Sequence, residues 1–400
     1  MDALIGCHLC GALHRRVALR PGHRACCTRC GATLFRERLR PLSRGIALLL
    51  AALVFWVTTH VTPLLTLNIE GIDETATLLR GVTAIADTGL WPLALAVLVF
   101  ASLAPLVKIV LALTGAVGAA LGTRRPLVRR AFALGQRQAP WAMLEIYLFG
   151  LIVAYVKLVE YARIEFHIGL LALAATIFCI VAADAVLEPE AVWSRIGRRV
   201  EPAPDAAVAC HTCHWVAPRA ARTCPRCGAA MHHRKPEPLQ RMWALLAAAV
   251  VLYVPANVYP IMVISQFGND HPATIIGGVI DLLHAGMYPI AAVVFVASVL
   301  VPVAKMLGLA WLAIAQQRRS PASLRSRTKA YAAIEFVGRW SMVDVFMVAI
   351  LTSLVQATGL FVIVPGIGAI AFGSVVILTM LASMSFDPRM PWDVAERQHG

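Results

Sequence analysis

Eight apolar segments, each long enough to cross a lipid bilayer, constrain this chain more than any other feature. They span residues 45–66, 89–121, 139–159, 166–187, 241–264, 287–316, 339–357 and 360–385. The hydrocarbon core of a bilayer is about 30 Å thick and takes about 20 helical residues to cross. Of the 400 residues, 59% are hydrophobic and 14% are charged, which is too apolar for a soluble chain of this length. We therefore predict an all-α polytopic membrane protein with eight transmembrane helices, distorted at Pro105 and Pro302.

The basic residues predict the orientation of these helices. Residues 1–44 contain nine arginines, and the 123–138 and 317–339 segments are also basic. The 67–88 and 265–286 segments are instead acidic. Cytoplasmic loops carry the excess of Lys and Arg, so both termini and every basic loop are predicted to be cytoplasmic. Arginine-rich zinc modules bind nucleic acid in other settings, but this bias accounts for the net charge of +14, and we predict no nucleic-acid partner.

The two halves of the chain form an internal repeat. With an offset of 197, TLLRG at 77–81 aligns with TIIGG at 274–278, and PLVK at 105–108 aligns with PVAK at 302–305. An even number of spans in each copy makes the repeat parallel. We predict two tandem four-helix modules, each preceded by a small cytoplasmic ribbon. The predicted boundaries are 1–44 for the first ribbon, 45–187 for the first module, 188–240 for the linker and second ribbon, 241–386 for the second module and 387–400 for a cytoplasmic tail.

Two pairs of CxxC motifs precede the two modules. The cysteines are Cys7, Cys10, Cys27 and Cys30 in the first ribbon, and Cys210, Cys213, Cys224 and Cys227 in the second. Two such knuckles supply the four ligands of a tetrahedral structural zinc site, so we predict two zinc ions. CxxC also occurs in redox enzymes, but no thioredoxin-like βαβ pattern surrounds these motifs. Cys26 is a spare thiol that could replace a ligand, and His8, His23 and His211 are interpreted as bystanders.

Polar residues within the second module are candidate functional groups. They are Ser298, Lys305, Ser341, Asp344 and Thr379, accompanied by Ser374 and Ser383. A charge at the bilayer centre costs about 2.5–3.5 kcal/mol on insertion scales, so such residues usually serve a function. An ion pair at the end of the bundle, with Lys305 reaching the headgroups, is the structural alternative. The first copy retains Lys108 and Glu145 but has Ala142 and Ile180 where the second has hydroxyls.

This sequence contains no recognisable catalytic motif. We find no phosphate-binding loop, nucleophile elbow or metalloprotease helix, and we expect that the protein is not an enzyme.

The duplicated layout, together with PANVYPIM, PVAK and WSMVDVF in the second half, resembles the paraquat-inducible protein A family over essentially the whole chain. That family includes inner-membrane partners of MCE-domain lipid-transport tunnels. The resemblance implies zinc ribbons, a bacterial inner-membrane location, phospholipid as cargo and a periplasmic MCE-domain partner. It also implies a polar network that couples proton movement to lipid loading, carried here by Ser298, Lys305, Ser341, Asp344 and Thr379.

Two other functions fit the same residues. A stand-alone proton-coupled exporter of small amphiphiles would use the polar network without a partner. A membrane-anchored zinc-ribbon scaffold would need no Lys–Asp pair at all.

Overall fold

The computed structural model of this chain is mostly helical, and seven helices within the described residues are long and apolar enough to cross a membrane. The described residues are 4–69, 72–87, 89–158, 163–198, 207–218, 220–232, 234–266, 269–284, 286–318, 324–338, 346–347, 350 and 361–399. The seventh predicted span, 339–357, falls almost entirely outside them. The count of eight membrane helices and the bounds of the five predicted segments therefore stay predictions.

The first half of the chain begins with two β-hairpins and continues mainly with helices. Its strands are β1 (Leu4–Gly6), β2 (Leu13–Arg15), β3 (Arg24–Cys26), β4 (Thr33–Arg36), β5 (Leu65–Ile69), β6 (Ile72–Ala76) and β7 (Arg163–Phe166). Its helices are α1 (Pro41–Val61), α2 (Leu78–Asp87), α3 (Trp91–Val97), α4 (Ala104–Ala120), α5 (Pro126–Gln138), α6 (Leu144–Leu158), α7 (Ile168–Val186) and α8 (Pro189–Ile196).

The second half follows a closely similar order. Its strands are β8 (Ala207–Ala209), β9 (Val216–Pro218), β10 (Met262–Gln266), β11 (Asn269–Ala273) and β12 (Phe361–Pro365). Its helices are α9 (Pro238–Val258), α10 (Ile275–His284), α11 (Tyr288–Phe295), α12 (Val301–Gln317), α13 (Leu324–Gly338), α14 (Ile367–Ser385) and α15 (Met390–His399). In the first half α1 packs along α7, and in the second half α9 packs along α14.

The second and sixth spans contain a wide helical turn at corresponding positions. A π-helical segment, Leu98–Leu103, joins α3 to α4, and another, Val296–Leu300, joins α11 to α12. Pro105 and Pro302 follow directly. Proline has no N–H, and its ring clashes with the carbonyl group four residues earlier. In both halves that carbonyl lies within the π-helical segment, so the distortion predicted at each proline takes the form of a π-bulge.

Small β-sheets make the all-α prediction incomplete. Strands β6, β5 and β7 form one antiparallel sheet, and β11, β10 and β12 form another. These sheets occupy residues that were assigned to the ends of the spans 45–66 and 241–264. Helices α1 and α9 end earlier, because the residues that directly follow them, Thr62 and Tyr259, adopt extended backbone angles. Each of these residues precedes a proline, and a residue before proline disfavours the α conformation.

Two glycines allow the first turn of a membrane helix to contact the backbone that directly follows the neighbouring helix. A Cβ atom at Gly169 would lie 2.3 Å from the Pro63 carbonyl oxygen, and one at Gly368 would lie 2.5 Å from the Tyr259 carbonyl oxygen. The Gly169 N–H donates to the Pro63 carbonyl (3.2 Å), and the Gly368 N–H donates to the Pro260 carbonyl (3.1 Å). These contacts supply two of the N–H partners that a helix N-terminus lacks.

The two halves share one hydrophobic core. A single cluster of buried side chains includes residues of both halves, among them Ile109 and Phe372. Tyr147 and Phe346, which correspond under the 199-residue offset, meet edge to face with their ring centroids 5.7 Å apart. The two copies therefore pack against each other through equivalent residues.

Replacing Gly368 with alanine tests the close approach at the start of α14. Because the added methyl group would overlap a backbone carbonyl, we expect the free energy of unfolding to fall by about 1–3 kcal/mol. Thermal unfolding of the purified protein in detergent would measure this as a lower midpoint. Gly278→Ala is the matched control, since a Cβ atom there meets nothing within 4 Å. Equal midpoints for the two variants would contradict the packing described here.

Candidate metal centres and buried polar groups

The cysteine pairs lie in tight turns that aim both sulfur atoms of each pair inward. Cys7 and Cys10 occupy the turn between β1 and β2, and Cys27 and Cys30 occupy the turn between β3 and β4. In every pair the carbonyl of the first cysteine accepts the N–H of the residue four positions later, at 2.8–3.0 Å. That residue has a positive φ in all four turns and is Gly11, Gly31, His214 or Gly228. Glycine adopts this conformation without strain, which explains the glycine after three of the four CxxC motifs.

The eight cysteines predicted as ligands form two buried clusters. Within each cluster all four sulfur atoms lie within 4.8 Å of one another. In the first ribbon Cys7 Sγ is 3.6 Å from Cys30 Sγ, and Cys10 Sγ is 3.5 Å from Cys27 Sγ. The corresponding distances in the second ribbon are 3.7 and 3.5 Å. Four thiolates at about 2.3 Å from a tetrahedral zinc ion would be about 3.8 Å apart, so both clusters fit a metal ion of this size.

Second-ribbon thiolates also receive backbone hydrogen bonds. The Thr212 N–H donates to Cys210 Sγ (3.4 Å), and the Ala229 N–H donates to Cys227 Sγ (3.5 Å). Such bonds stabilise negative charge on the sulfur atoms. All four positions around each candidate ion are filled by protein ligands, which is typical of structural sites and leaves no position for a substrate.

Neighbouring cysteines and histidines lie outside both clusters. Cys26 is exposed and Cys179 is buried among membrane helices, while His8, His23 and His211 belong to neither ligand set. The sequence reasoning overlooked His14, whose Nε2 lies 3.1 Å from Cys27 Sγ. Its position one residue into β2, directly opposite Ile5 in β1, becomes recognisable only once the hairpin register is known.

The second ribbon packs against the first copy of the membrane module. Its four cysteines belong to a buried cluster that includes Phe132 and Trp193 of the first copy. Trp193 is 1% exposed and meets Phe132 edge to face with their ring centroids 5.0 Å apart. Arg226, between Cys224 and Cys227, donates to both carboxylate oxygens of Glu190 at 3.0 and 2.8 Å. Because this bidentate pair is partly shielded from solvent, it fixes the orientation of the ribbon on the first copy.

The first ribbon packs against the second copy in the reciprocal way. Its four cysteines share a buried cluster with Trp392, which corresponds to Trp193 under the 199-residue offset. The Arg29 guanidinium lies 4.7 Å from the centroid of the Trp392 ring, within the range of a cation–π interaction. The Arg325 side chain donates to the Arg29 carbonyl at 2.9 Å. Each ribbon is therefore docked on the copy that it does not directly precede in the chain.

The two ribbons also contact each other. Ile5 forms an isolated antiparallel bridge with Trp215. A Cβ atom at Gly6 would lie 2.2 Å from the Cβ atom of Ala209. The second ribbon also contacts the second copy, because His211 accepts a hydrogen bond from Arg389, whose side chain also donates to Asp387. Burial and the nearby Arg389 lower the pKa of His211 to about 4, so the ring is neutral at pH 7 and accepts this bond.

The candidate polar network in the second copy is described only in part. Ser298 lies in the π-helical segment before α12, Lys305 in α12 and Thr379 in α14, and all three are buried. Lys305 Nζ is 3.5 Å from the Gly338 carbonyl oxygen at the end of α13. Ser298 Oγ has no hydrogen-bond partner among the described residues. Ser341 and Asp344 lie outside the described residues, so the predicted Lys305–Asp344 contact stays a prediction.

The first copy contains polar contacts that the sequence reasoning missed. Lys108 pairs with Asp184 in α7 at 2.5 Å, and Asp184 had not been singled out. An aspartate near the end of an apolar segment was the available signal. His60 accepts a hydrogen bond from Ser102 at 2.7 Å, and its Nδ1 donates to the Trp56 carbonyl at 2.8 Å. The first copy is therefore not devoid of polar groups inside the membrane.

Lys108 and Lys305, which correspond under the 197-residue offset, line the same cavity. Its volume is about 410 Å³, and it lies between the two copies beneath His8 and Leu9 of the first ribbon. Asp184 and Glu335 also line it. The internal repeat thus places its two intramembrane lysines at one shared space.

The seven long apolar helices found in the described part of the chain, together with two four-cysteine clusters that could hold metal ions, define a polytopic membrane protein with paired cysteine ribbons. The family model described as paraquat-inducible protein A matches residues 42–197 and again residues 239–396. The chain belongs to this family.

Relatives match over nearly full length. The chain is 34% identical to intermembrane transport protein PqiA of Escherichia coli strain K12, over 97% of this chain and 95% of that protein. It is 30% identical to lipophilic envelope-spanning tunnel protein A of the same strain, over 98% and 91% respectively. A probable intermembrane transport protein of Haemophilus influenzae is 29% identical over 95% and 93%. No solved structure matches the chain.

Replacing Cys213 with serine tests the assignment of the metal ligands. A closed site of four thiolates loses most of its affinity when one ligand is replaced, so we expect the purified variant to contain one metal ion per chain instead of two. Elemental analysis of the purified protein would measure this ratio. Cys26→Ser is the matched control because Cys26 lies outside both clusters, and it should retain both ions. Equal metal content in the two variants would contradict the assignment.

Proposed function

We propose that this chain is the inner-membrane subunit of a bacterial lipid-transport system that moves phospholipid between the inner membrane and a periplasmic MCE-domain tunnel. Near full-length similarity to two Escherichia coli proteins named for intermembrane transport and for an envelope-spanning tunnel is the observation that carries the proposal. The layout of the chain supports it. At the ends of α1 and α9, the described elements outside the membrane are three-stranded sheets and short helices. A five-residue strand extends only about 17 Å, so a route across the periplasm needs a partner.

The orientation within this proposal follows from the basic residues. The ribbons and the arginine-rich helix α5 face the cytoplasm, and the sheets containing β5 and β10 face the periplasm. Zinc in the two clusters then has a structural role, because closed four-thiolate sites leave no reactive coordination position. The proposal includes no enzymatic step.

We also propose that the second copy couples proton movement to lipid transport. Lys305 is 4% exposed, and a buried ammonium group needs a compensating partner. Asp344, six residues after Gly338, is the carboxylate that we propose for this role, with Ser298, Ser341 and Thr379 supplying hydroxyl groups. The Ser298 hydroxyl, which has no hydrogen-bond partner in the described part of the chain, supports such a network, because buried polar atoms are nearly always hydrogen-bonded.

Protonation in this network is proposed to change the packing of α12 against α14. A proton on Asp344 removes the charge that compensates Lys305, which makes the pair unstable in a low-dielectric interior. The pair would then separate or release a proton. Because Lys305 lines the cavity between the two copies, either change alters the polarity of that space and thus its affinity for a lipid headgroup.

Replacing the network residues tests this mechanism. In cells that depend on the transport system for resistance to an envelope-active detergent, Asp344→Asn and Lys305→Ala should each reduce resistance by at least tenfold. Control variants are Asp281→Asn and Lys329→Ala, which make the same chemical changes at exposed positions. Protein level and metal content should match the wild-type protein in all four variants.

The outcomes separate the competing functions. Full resistance in both network variants at normal protein levels would rule out proton coupling through Lys305 and Asp344, and would favour a scaffold function. Loss of resistance without any dependence on an MCE-domain protein would favour a stand-alone exporter.

A further inference from the structure

A second cavity, of about 580 Å³, lies beside the N-terminal end of α1 in the first copy. Its walls come from strand β4 and the following residues, from the first turns of α1, from the end of α4 and from α8. This position is the junction between the first ribbon and the membrane-spanning part of the chain. The polar network proposed above does not use it.

Positive charge dominates the lining of this cavity. Five arginines line it, namely Arg16, Arg36, Arg38, Arg40 and Arg195, against three glutamates, namely Glu37, Glu188 and Glu190. Two of the glutamates are already engaged. The Glu190 carboxylate accepts hydrogen bonds from Arg16 at 3.0 Å and from Arg226. The Glu188 carboxylate accepts a hydrogen bond from the Arg36 backbone and interacts electrostatically with Arg36 and Arg38, although its partial burial raises the pKa of its carboxyl group.

The arginines that line the cavity can still donate hydrogen bonds to an anion. The Nε atom of Arg38 is buried and has no hydrogen-bond partner among the described residues. The start of α1 adds backbone donors, since the first N–H groups of a helix have no partner within it. Its first turn contains no acidic residue, and no side chain caps it. Guanidinium groups and helix N-termini both favour phosphate, and here they face the same space.

The corresponding place in the second copy lacks this surplus of positive charge. Arg40 corresponds to Glu237, and Arg195 corresponds to Val394. Arg389 there forms an ion pair with Asp387 at 3.0 Å. Lys235, the counterpart of Arg38, donates to the Met384 and Phe386 carbonyl groups at 2.5 and 2.8 Å. The repeat thus offers an internal comparison: in the second copy Lys235 and Arg389 are held by partners within the chain, whereas in the first copy Arg38 keeps a buried Nε without a partner among the described residues, beside a cavity with more arginines than glutamates.

An apolar wall indicates what kind of anion the cavity suits. Leu42, Ile46 and Ala120 line it together with the arginines. Beyond them, Leu50, one turn after Ile46 on α1, is 47% exposed, and Leu121 is 76% exposed. These side chains face outward on helices that cross the membrane, so the cavity joins a basic pocket to a lipid-facing surface. A phosphate group attached to acyl chains matches both parts.

We propose that this cavity binds the headgroup of an anionic phospholipid from the adjacent membrane leaflet. The headgroup phosphate contacts Arg38 and Arg40 at the start of α1, and the acyl chains run along Ile46 and Leu50. This binding does not depend on lipid transport or on an MCE-domain partner. Its failure would leave the proposed function untouched, and the reverse also holds.

Native mass spectrometry of the full-length protein in detergent tests the proposal with phosphatidylglycerol as the probe. The double variant Arg38→Gln/Arg40→Gln should bind phosphatidylglycerol about tenfold or more weakly than the wild-type protein, because it loses two charge-assisted contacts to phosphate. Arg44→Gln is the matched control, since Arg44 is an exposed arginine on the same helix that does not line the cavity. It should bind as the wild-type protein does. The exposed Arg195→Gln serves as a second variant if the double variant loses metal.

Two further binding measurements identify the source of the phosphate. Phosphatidylcholine should bind much more weakly than phosphatidylglycerol, and inorganic phosphate at millimolar concentration should not displace the lipid. Equal binding of the two lipids, or equal phosphatidylglycerol binding by wild-type and variant protein, would overturn the proposal. Displacement by inorganic phosphate would assign the cavity to a soluble anion instead of a lipid.

Discussion

Four thiolates held within 4.8 Å of one another repel each other unless a cation lies between them, and the two ribbons of this protein depend on that interaction. Each ribbon has two short cysteine turns and little hydrophobic core of its own, so binding a metal ion supplies much of its folding free energy. The consequences extend beyond the ribbons. The second ribbon is packed on Trp193 of the first copy, and the first ribbon is packed on Trp392 of the second. Metal ions bound in the two clusters would therefore stabilise a crossed arrangement that joins the two halves.

Internal duplication supplies most of the architecture, and the differences between the copies supply the chemistry. Both copies retain the π-bulge before a proline, the glycine at the start of the last membrane helix and the tryptophan that receives a ribbon. Their polar groups diverge. Lys108 is paired with Asp184, whereas the counterpart of Asp184 is Ser383, whose hydroxyl donates to the Met380 carbonyl. Lys305 consequently needs a different partner, which is the role proposed for Asp344. Near the start of α1, arginines of the first copy face a cavity, whereas in the second copy Lys235 donates to backbone carbonyl groups and Arg389 pairs with Asp387.

Much of this molecule follows from local sequence rules, and the remainder depends on contacts between distant residues. Apolar length predicts the helices because lipid requires every backbone group to be bonded within its own segment. CxxC spacing predicts the clusters because two knuckles make one tetrahedron. The strands β5 and β10 were missed because they directly follow apolar helices and are themselves largely apolar, so hydropathy does not separate them from a span. The pairing of Lys108 with Asp184 and the docking of each ribbon on the opposite copy were missed because the partners lie far apart in the sequence. The separation is 76 positions for Lys108 and Asp184, 36 for Arg226 and Glu190, and 363 for Arg29 and Trp392.

Purification from native membranes, in a detergent shown to preserve membrane complexes, is the most direct test of the proposed partnership with an MCE-domain tunnel. The tagged full-length protein would be isolated gently, and its associated proteins and lipids would be identified by mass spectrometry. We expect a stoichiometric MCE-domain protein together with phospholipid. A solitary protein, recovered under conditions in which a known membrane complex from the same cells stays intact, would contradict the proposal that this chain passes lipid between the inner membrane and a periplasmic tunnel.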